Sequence, residues 1–246
     1  MGRVYIGTSG WNYPHWKDSF YAGVPRRDWL RYSASCFTGL EVNATFYGLQ
    51  RRETFEHWAE QVPAGFRFAV KGNRYLTHTK RLLEPGEPIR REHERAAGLG
   101  DKLAAVLWQL PGNFSCHLRR LHDFVGALQS WPDVAHVIEF RHRSWFQDPV
   151  AACLAERDVG VCMSDAADWP LWDAVTGSTV YVRLHGHTRT YASRYSTRLL
   201  THWAERVRVW SGQGRDVHVY FDNDAEGAAP RDALRLLALL GATPGG

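Results

Sequence analysis

Two stretches near the carboxyl end, TVYVRLHG at residues 179–186 and VHVYFD at residues 217–222, alternate in a way that decides the fold. Because successive side chains of a strand point to opposite faces, each stretch has one apolar row and one polar row. The apolar rows are Val180, Val182 and Leu184, and Val217, Val219 and Phe221; the polar rows are Tyr181, Arg183 and His185, and His218, Tyr220 and Asp222. Each stretch predicts a strand with one face in an apolar layer and the other among ionisable groups.

The same kind of strand recurs along the chain, and helical patterns separate most of the copies. Further strands are predicted to begin near Val4, Leu40, Phe66, Ala104, Val134 and Val159. Helices are predicted over residues 54–62, 118–128 and 199–210, and a last one has Pro230 in its first turn and Gly241 after its end. This alternation implies a parallel sheet. Eight repeats of about 30 residues, without a glycine-rich phosphate loop after the first strand, favour closure into a (β/α)8 barrel of the TIM type.

A single domain spanning residues 1–246 accounts for these elements. The chain has 246 residues, of which 44% are hydrophobic and 23% charged. That composition can bury a sizeable core, and barrels of about 250 residues commonly form one domain. Two connections are irregular: residues 165–178, after the sixth strand, show no helical pattern, and residues 72–91 form a long link with two prolines.

Composition also bounds location and chemistry. No stretch approaches the roughly 18 consecutive apolar residues of a membrane span, and the chain starts with a strand pattern rather than a signal region. We therefore expect a cytoplasmic protein with no membrane partner. Cys36, Cys116, Cys153 and Cys162 are scattered and form no CxxC pair, which predicts reduced thiols and neither a metal site nor another cofactor. The net charge of +4 is carried mostly by arginine, which suits phosphates and carboxylates.

The polar rows predict a site inside one end of the barrel. Helices cover the outside of such a barrel, so the apolar rows face outward and the polar rows inward. Ionised groups buried there cost several kcal/mol each unless paired, so the cluster is either a self-neutralising lattice or a ligand site. The carboxyl-terminal position, where barrel enzymes hold their catalytic groups, favours the site. Its predicted members are Glu41, Asn43, Lys71, Gln109, Glu139, Arg141, Asp165, Arg183, His185 and Asp222.

Aromatic residues follow the strands in what should be the loops around this mouth. Flat rings beside arginine suit sugars or nucleobases that carry phosphate, although such rings also serve to close a barrel. The residues are Trp11, Tyr13, Trp16, Phe46, Tyr47, Tyr75, Trp145, Trp169, Trp172, Tyr191 and Tyr195.

Eight segments, in order, resemble the YecE-like family, known as domain of unknown function 72. They are IGTSGWNYPHW from Ile6, FYAG from Phe20, LEVNATFY from Leu40, FAVKGNRYLTH from Phe68, LWQLPGNF from Leu107, IEFRHRSW from Ile138, YVRLHG from Tyr181 and VYFDNDAEGAAPRDAL from Val219. The resemblance spans nearly the whole chain and implies a TIM-type barrel, but no settled activity. The family's marked positions correspond to Ser9, Gly10, Trp11, Glu41, Asn43, Lys71, Gln109, Glu139, Arg141, His142, Arg183 and His185.

The chain departs from the family pattern at two positions. The last strand ends in Asp222-Asn223, where the family more often has two asparagines, and Asp232 lies where asparagine is common. An added carboxylate at position 222 leaves open whether a ligand at that corner is an anion or is linked to a metal.

The first functional hypothesis is an enzyme that acts on a phosphate-bearing substrate: a nucleotide, nucleic acid or sugar phosphate. Lys71, Arg141 and Arg183 would bind the anion. Glu139 or Glu41 would act as general base and His185 or His142 as general acid. The remaining substrate-binding candidates are Trp11, Asn43, Gln109, Asp222 and Asn223.

Two alternatives remain open. A divalent-metal phosphodiester hydrolase would draw its ligands from Glu139, His142, Asp165, His185 and Asp222, although the neighbouring lysine and arginines would oppose a cation. A non-catalytic module that binds nucleic acid or another anion would need an outer basic patch. Arg90, Arg91 and Arg95, or Arg206 and Arg208, are the candidates for that patch.

Overall fold

Eight parallel strands and eight α-helices make up the computed structural model, which describes residues 1–242. The strands are β1 (Val4–Thr8), β2 (Gly39–Val42), β3 (Arg67–Lys71), β4 (Leu103–Gln109), β5 (Ala135–Glu139), β6 (Gly160–Ala166), β7 (Thr179–Gly186) and β8 (Asp216–Phe221). The helices are α1 (Trp29–Cys36), α2 (Ala44–Tyr47), α3 (Arg52–Glu60), α4 (Gly86–Ala96), α5 (Leu118–Leu128), α6 (Asp148–Ala155), α7 (Thr197–Gly212) and α8 (Ala228–Leu240). All eight predicted strands are confirmed.

The strands form a nearly closed barrel. Each strand pairs in parallel with its sequence neighbour from β2 to β8, and β8 pairs with β1. At the seam between β1 and β2, Ser9 and Glu41 form an isolated parallel bridge, and Gly10 N donates to Glu41 O at 2.7 Å. The strands approach closely there: a Cβ added to Gly7 would lie 1.9 Å from Gly39 O. The predicted TIM-type barrel is confirmed.

Apolar layers lie on both sides of the barrel wall, one between the strands and the helices and one inside the barrel. The outward rows, including Val180, Val182 and Leu184, pack in a large core with the helices. This confirms the predicted outward direction of the apolar rows. A smaller cluster fills the barrel interior below the polar layer: Ala69, Ala105, Leu107, Val137, Cys162, Tyr181 and Tyr220. The barrel is thus packed at its base, where His218 and Tyr220 share a hydrogen bond of 3.0 Å, and its charged groups lie at the carboxyl end.

The helices differ from the predicted ones mainly in the residues at which they begin and end. Helix α7 begins two residues before its predicted start because Ser196 caps it, accepting a hydrogen bond from Leu199 N. The irregular segment after β6 contains no helix, as predicted. The long link after β3 contains a π-helical turn, Tyr75–Thr79, and the start of α4.

Of the helices in residues 1–242, none combines the length and apolar character needed to cross a bilayer. The cysteines are free thiols, as predicted.

His136, on the outer side of β5, makes the stability of this barrel sensitive to acid. Its Nε2 donates to Trp131 O at 2.9 Å, and its Nδ1 accepts from Trp108 Nε1 at 3.3 Å. Both nitrogens are used by the neutral ring, and burial lowers the pKa of His136 from 6.5 to about 4. The unfolded chain therefore takes up this proton at a higher pH than the folded chain does.

We expect the free energy of unfolding to fall as the pH falls from 6.5 towards 4, and His136→Gln to reduce that fall. The His136 contribution is at most about 3 kcal/mol. Urea unfolding at a series of pH values measures it, with the exposed His122→Gln as the matched control. An unchanged pH profile in His136→Gln would show that the ring does not titrate as the burial implies.

Candidate active site at the carboxyl end of the barrel

Arg183, from β7, lies at the centre of the polar layer and is fully buried. Its Nε and Nη2 donate to the two oxygens of Glu41 at 3.1 and 2.8 Å. Nη1 donates to Glu139 Oε2 at 3.0 Å, and Nη2 also donates to Asp222 Oδ2 and Ser9 Oγ, both at 3.0 Å. All three nitrogens are thus committed within the protein. The guanidinium holds carboxylates from three strands together, and direct contact of Arg183 with substrate stays a prediction.

Glu41 is equally enclosed. Tyr181 OH donates to its Oε2 at 2.6 Å, and the hydroxyl of Ser9 donates to Oε1. Together with Arg183, these donors occupy both oxygens of a carboxylate that has no exposed surface. Four donors on its two oxygens leave Glu41 no acceptor site for a substrate proton, so this geometry does not support the catalytic role predicted for Glu41. It serves to join β2 to β7 across the barrel.

Glu139 connects the centre of the network to the mouth. Its Oε1 accepts from Arg141 Nε at 2.7 Å and from Ser164 Oγ at 3.0 Å. Arg141 stacks over Trp169, with 3.8 Å between the guanidinium carbon and the ring centroid, and Trp169 Nε1 donates to Ser164 Oγ at 2.9 Å. The irregular segment after β6 thus supplies a cover for this side of the mouth.

His185 and Asp222 form a buried pair beside Glu139. His185 Nδ1 lies 3.0 Å from Asp222 Oδ2, outside hydrogen-bond geometry, and has no hydrogen-bond partner. Its Nε2 lies 3.3 Å from Arg183 Nη1 and 3.6 Å from Glu139 Oε1. The imidazole is therefore poised between two carboxylates, as a proton-transferring group would be.

Glu139 and Asp222 stay ionised. Burial alone would raise the pKa of Glu139, but the charges of Arg141 and Arg183 hold it well below its ordinary value. Burial likewise opposes ionisation of Asp222, yet the charge of Arg183 brings its pKa to about 2. The extra carboxylate at position 222 therefore balances an internal cation.

Lys71, at the end of β3, is the cation that this network leaves uncommitted. Its Nζ lies 4.3 Å from the centroid of the Phe46 ring, and the side chain is buried. Within residues 1–242 no carboxylate oxygen lies within 4.0 Å of this ammonium group. Burial and the charge of Arg183 lower the pKa of Lys71 to about 8.

Further cations surround Lys71 on the β3 side of the mouth. Arg74 lies 5.9 Å from the Phe46 centroid, Arg81 lies 5.7 Å from that of Phe114, and His78 contacts Phe46 edge-on. Neither arginine pairs with a carboxylate in the described part of the chain. Burial, with the charges of Arg74, Lys71, Arg141 and Arg81, lowers the pKa of His78 to about 4. We call Lys71, Arg74, Arg81 and Arg141 the cationic rim.

The π-helical turn after β3 positions this rim. It directly follows Arg74 and contains His78, and Arg81 then adopts φ 47°. At the start of the link, Gly72 passes so close to Trp108 that an added Cβ would lie 2.4 Å from the ring. Non-glycine residues in the left-handed region carry backbone strain, and such strain collects at functional sites. The rim is therefore held by a specific backbone path rather than by chance exposure.

Asn43, Gln109 and Trp11 lie at the edges of the network. Asn43 Nδ2 donates to Ser9 Oγ at 2.6 Å, while its buried Oδ1 has no hydrogen-bond partner. Gln109, at the end of β4, makes no side-chain hydrogen bond within the described residues and is 9% exposed. Trp11 packs against Trp58 and lines a separate cavity of about 370 Å³ with Asn43. Asn43 and Gln109 thus remain available as polar contacts, and Trp11 lines the cavity next to the network.

Three other predicted site residues lie elsewhere. Asp165 is corrected: its carboxylate pairs with His187 Nδ1 at 3.0 Å, outside the network. His142 caps a short 3-10 turn, accepting from Ser144 N at 3.2 Å, and makes no hydrogen bond to the network within residues 1–242. Asn223 donates to Ser193 O and to Asp232 Oδ2. Asn223 Oδ1 is buried without a hydrogen-bond partner. This geometry does not support a catalytic role for His142, whereas substrate contact by Asn223 stays a prediction.

Fewer aromatic residues line the mouth of the barrel than predicted. Trp16, Trp145 and Tyr195 are fully buried in the core. Phe46 and Trp169 contact the cations of the mouth, and Tyr191 lies 5.6 Å from the His185 ring. Of the others, Tyr47 and Tyr75 are exposed, and Trp11, Tyr13 and Trp172 are partly buried against the core.

Sequence reasoning missed Ser164 and two rim arginines. Strand β6 repeats Val161, Met163 and Asp165 in its outward row, so strict alternation would have assigned Ser164 to the interior. Arg74 and Arg81 follow no strand pattern, and no periodicity could have found them.

The residues proposed for the two alternatives are dispersed or already paired. Within residues 1–242 no group of three His, Cys, Asp or Glu side chains is arranged to hold a metal ion. On the outer surface, Arg90 pairs with Glu94 and Arg91 with Glu87. Arg206 pairs with Asp173, and Arg208 donates to Leu239 O.

Comparisons with known proteins agree with the barrel and with the family resemblance. A family model described as "Protein of unknown function DUF72" matches residues 5–245. The UPF0759 protein YunF of Bacillus subtilis (strain 168) is 27% identical over 273 residues, covering 96% of this chain and 94% of YunF. A solved DUF72 family protein of Thermotoga maritima (TM1631) is 25% identical, with a TM-score of 0.87 over 97% of this chain and 99% of that one. Another from Enterococcus faecalis (EF0366) is 24% identical, with a TM-score of 0.79 over 98% of both chains.

Proposed function

The chain belongs to the DUF72 family, and from that premise we propose that its barrel mouth is the active site of an enzyme for a phosphate-bearing substrate. The substrate would be a nucleotide, a nucleic acid or a sugar phosphate. The observation that carries this proposal is the cationic rim, in which Lys71, Arg74 and Arg81 lack carboxylate partners within residues 1–242.

Buried or crowded cations repel one another unless an anion joins them. The rim contains such cations on one side of the mouth, and their charges act together on His78. A phosphate offers several acceptor oxygens, and the forked guanidinium of arginine matches their geometry. The rim therefore favours a phosphate over a neutral ligand.

Groups suited to proton transfer lie beside the rim. His185 is held between Asp222 and Glu139, with Nδ1 3.0 Å from Asp222 Oδ2 and Nε2 3.6 Å from Glu139 Oε1. Unpaired buried polar atoms are rare in folded proteins, so each one calls for an explanation such as a ligand or a water. Asn43 Oδ1 is such an atom near the mouth. In this proposal His185 transfers the proton, Glu139 and Asp222 orient it, and Asn43 and Gln109 contact the substrate.

The double variant Arg74→Gln/Arg81→Gln tests the anion site without touching the buried network. We expect the Kd for ribose 5-phosphate or AMP, measured by calorimetry, to rise about tenfold or more, because each lost charged hydrogen bond contributes about 1.5–3 kcal/mol.

The matched control is Arg90→Gln/Arg95→Gln, which removes two exposed arginines of α4. Its Kd should stay within about twofold, since surface charges away from a site have small effects. If both variants lose the same affinity for the phosphate compounds, the effect comes from the net charge of the protein and not from a binding site. If wild-type protein binds neither the phosphate compounds nor inorganic phosphate, the proposal fails.

A further inference from the structure

We propose that Lys71 is a nucleophile that forms a Schiff base with the carbonyl carbon of an aldehyde or ketone that carries a phosphate group. This inference rests on the proposed function and names its substrate class. In it, Arg74, Arg81 and Arg141 bind the phosphate, and the amine of Lys71 is left for the carbonyl.

The position of Lys71 differs from that of every other lysine. The chain has four: Lys17, Lys71, Lys80 and Lys102. Lys80 pairs with Glu84 at 2.6 Å, Lys102 donates to the carbonyl oxygens of Ala59 and Val62, and Lys17 is exposed. A lysine that only balanced charge would be expected to form such a pair. Lys71 instead ends a barrel strand with its Nζ against the face of Phe46.

The carboxylates nearest to Lys71 already pair with arginines. Arg183 pairs with Glu41, Glu139 and Asp222, and Arg141 pairs with the second oxygen of Glu139. Within residues 1–242 no carboxylate oxygen lies within 4.0 Å of Lys71 Nζ, and burial together with the charge of Arg183 outweighs the attraction of the three carboxylates, so the pKa of Lys71 is lowered. Desolvation and a neighbouring cation are the two conditions that activate lysine as a nucleophile.

The backbone fixes this amine at the mouth. Thr45 Oγ1 donates to Lys71 O at 2.6 Å, and Gly72 N donates to Leu107 O at 2.8 Å. The side chain therefore leaves a rigid strand end, which holds a reacting group more precisely than a loop does. A carbonyl compound whose phosphate lies on the rim would have its carbonyl end directed at this amine.

The reaction needs no further reactant. The lone pair of Nζ forms a C–N bond to the carbonyl carbon, and the π electrons of the C=O bond move to oxygen. Both amine protons leave with that oxygen as water, and a C=N bond remains. One proton from solvent then converts the imine to an iminium ion, which withdraws electrons from the neighbouring carbon.

The amine is available near neutral pH. With its pKa at about 8, roughly a tenth of the chains carry neutral Lys71 at pH 7. The charged groups acting on it are Arg183 from β7, Glu41 from β2, Glu139 from β5 and Asp222 from β8. Adduct formation should increase as the pH rises through 8, because only the amine attacks.

Borohydride trapping tests the proposal. The full-length protein is incubated with glyceraldehyde 3-phosphate, dihydroxyacetone phosphate or ribose 5-phosphate, reduced with sodium borohydride, digested and analysed by mass spectrometry. We expect one adduct per chain, on the peptide that contains Lys71, and a weaker signal with unphosphorylated glyceraldehyde. Lys71→Arg should abolish this adduct, and circular dichroism checks that the variant is folded. Lys80→Arg, the control, should retain the adduct.

The other outcomes overturn the inference in distinguishable ways. If the protein binds phosphate but no adduct forms on Lys71, the Schiff-base inference is refuted and the proposed anion site stands. Equal labelling of Lys17, Lys71, Lys80, Lys102 and the amino terminus shows only non-specific glycation. Absence of both adduct and phosphate binding refutes the proposed function together with the inference.

Discussion

Replacing Arg183 by alanine is expected to lower the free energy of unfolding by about 3–5 kcal/mol or more. The change leaves Glu41, Glu139 and Asp222 buried without their shared counter-charge. Three carboxylates from three strands would then repel one another at the centre of the barrel. Urea unfolding followed by tryptophan fluorescence measures the loss, and the protein should also become less stable as the pH rises through the range in which these groups ionise.

Arg90→Ala, at an exposed ion pair on α4, is the control and should change the stability by no more than about 0.5 kcal/mol. A contrary result would be an Arg183→Ala protein of wild-type stability that has lost its affinity for phosphate. That outcome would mean that Arg183 binds the ligand directly, and that its contacts in the barrel are replaceable.

Gly7→Ala is expected to be nearly as damaging, with a loss of about 3 kcal/mol or more in the free energy of unfolding. The new Cβ would lie 1.9 Å from Gly39 O and 3.3 Å from Phe37 Cβ. The first of these atoms is backbone and cannot rotate away, so β1 and β2 must separate. Because Ser9 and Glu41 bridge the same seam, the separation would also disturb the polar layer.

Gly126→Ala provides the opposite control. Gly126 lies inside α5, and an added Cβ there meets no atom within 4 Å. Alanine should stabilise the helix by about 0.5–1 kcal/mol. Thermal unfolding of both variants distinguishes a crowded seam from a general intolerance of added methyl groups. A Gly7→Ala protein as stable as wild type would show that the seam is open in solution.

The two kinds of cation in the mouth have separate tasks. Arg183 is fully committed to carboxylates, and its role is to hold the barrel end together. The cations of the rim have fewer partners and lie nearer to solvent. A ligand that bound Arg183 would have to break several charged hydrogen bonds first. The proposed anion site is therefore compatible with a dense ionic layer at the same end of the barrel.

The sequence alone determined the barrel and the direction of most of its side chains. A period of two residues assigns each strand residue to one face, and strands alternating with helices require parallel pairing. The inward positions of Glu41, Lys71, Glu139, Arg183 and Asp222 follow from this local rule. Only in β6 was the rule misapplied, where Ser164 and not Asp165 faces the interior.

Only the tertiary structure decided which of those charged side chains pair with an opposite charge and which do not. Arg183 and Glu41 are 142 positions apart in the chain, and Arg183 and Glu139 are 44 apart, so no local pattern specifies their pairing. The pairing depends on distances across the closed barrel, since charge interactions weaken with separation and strengthen with burial. The same holds for Arg74 and Arg81, which reach the mouth through a π-helical turn that no periodicity predicts. Alternation within a strand is a property of the backbone, whereas the partners of a charge are set by the whole fold.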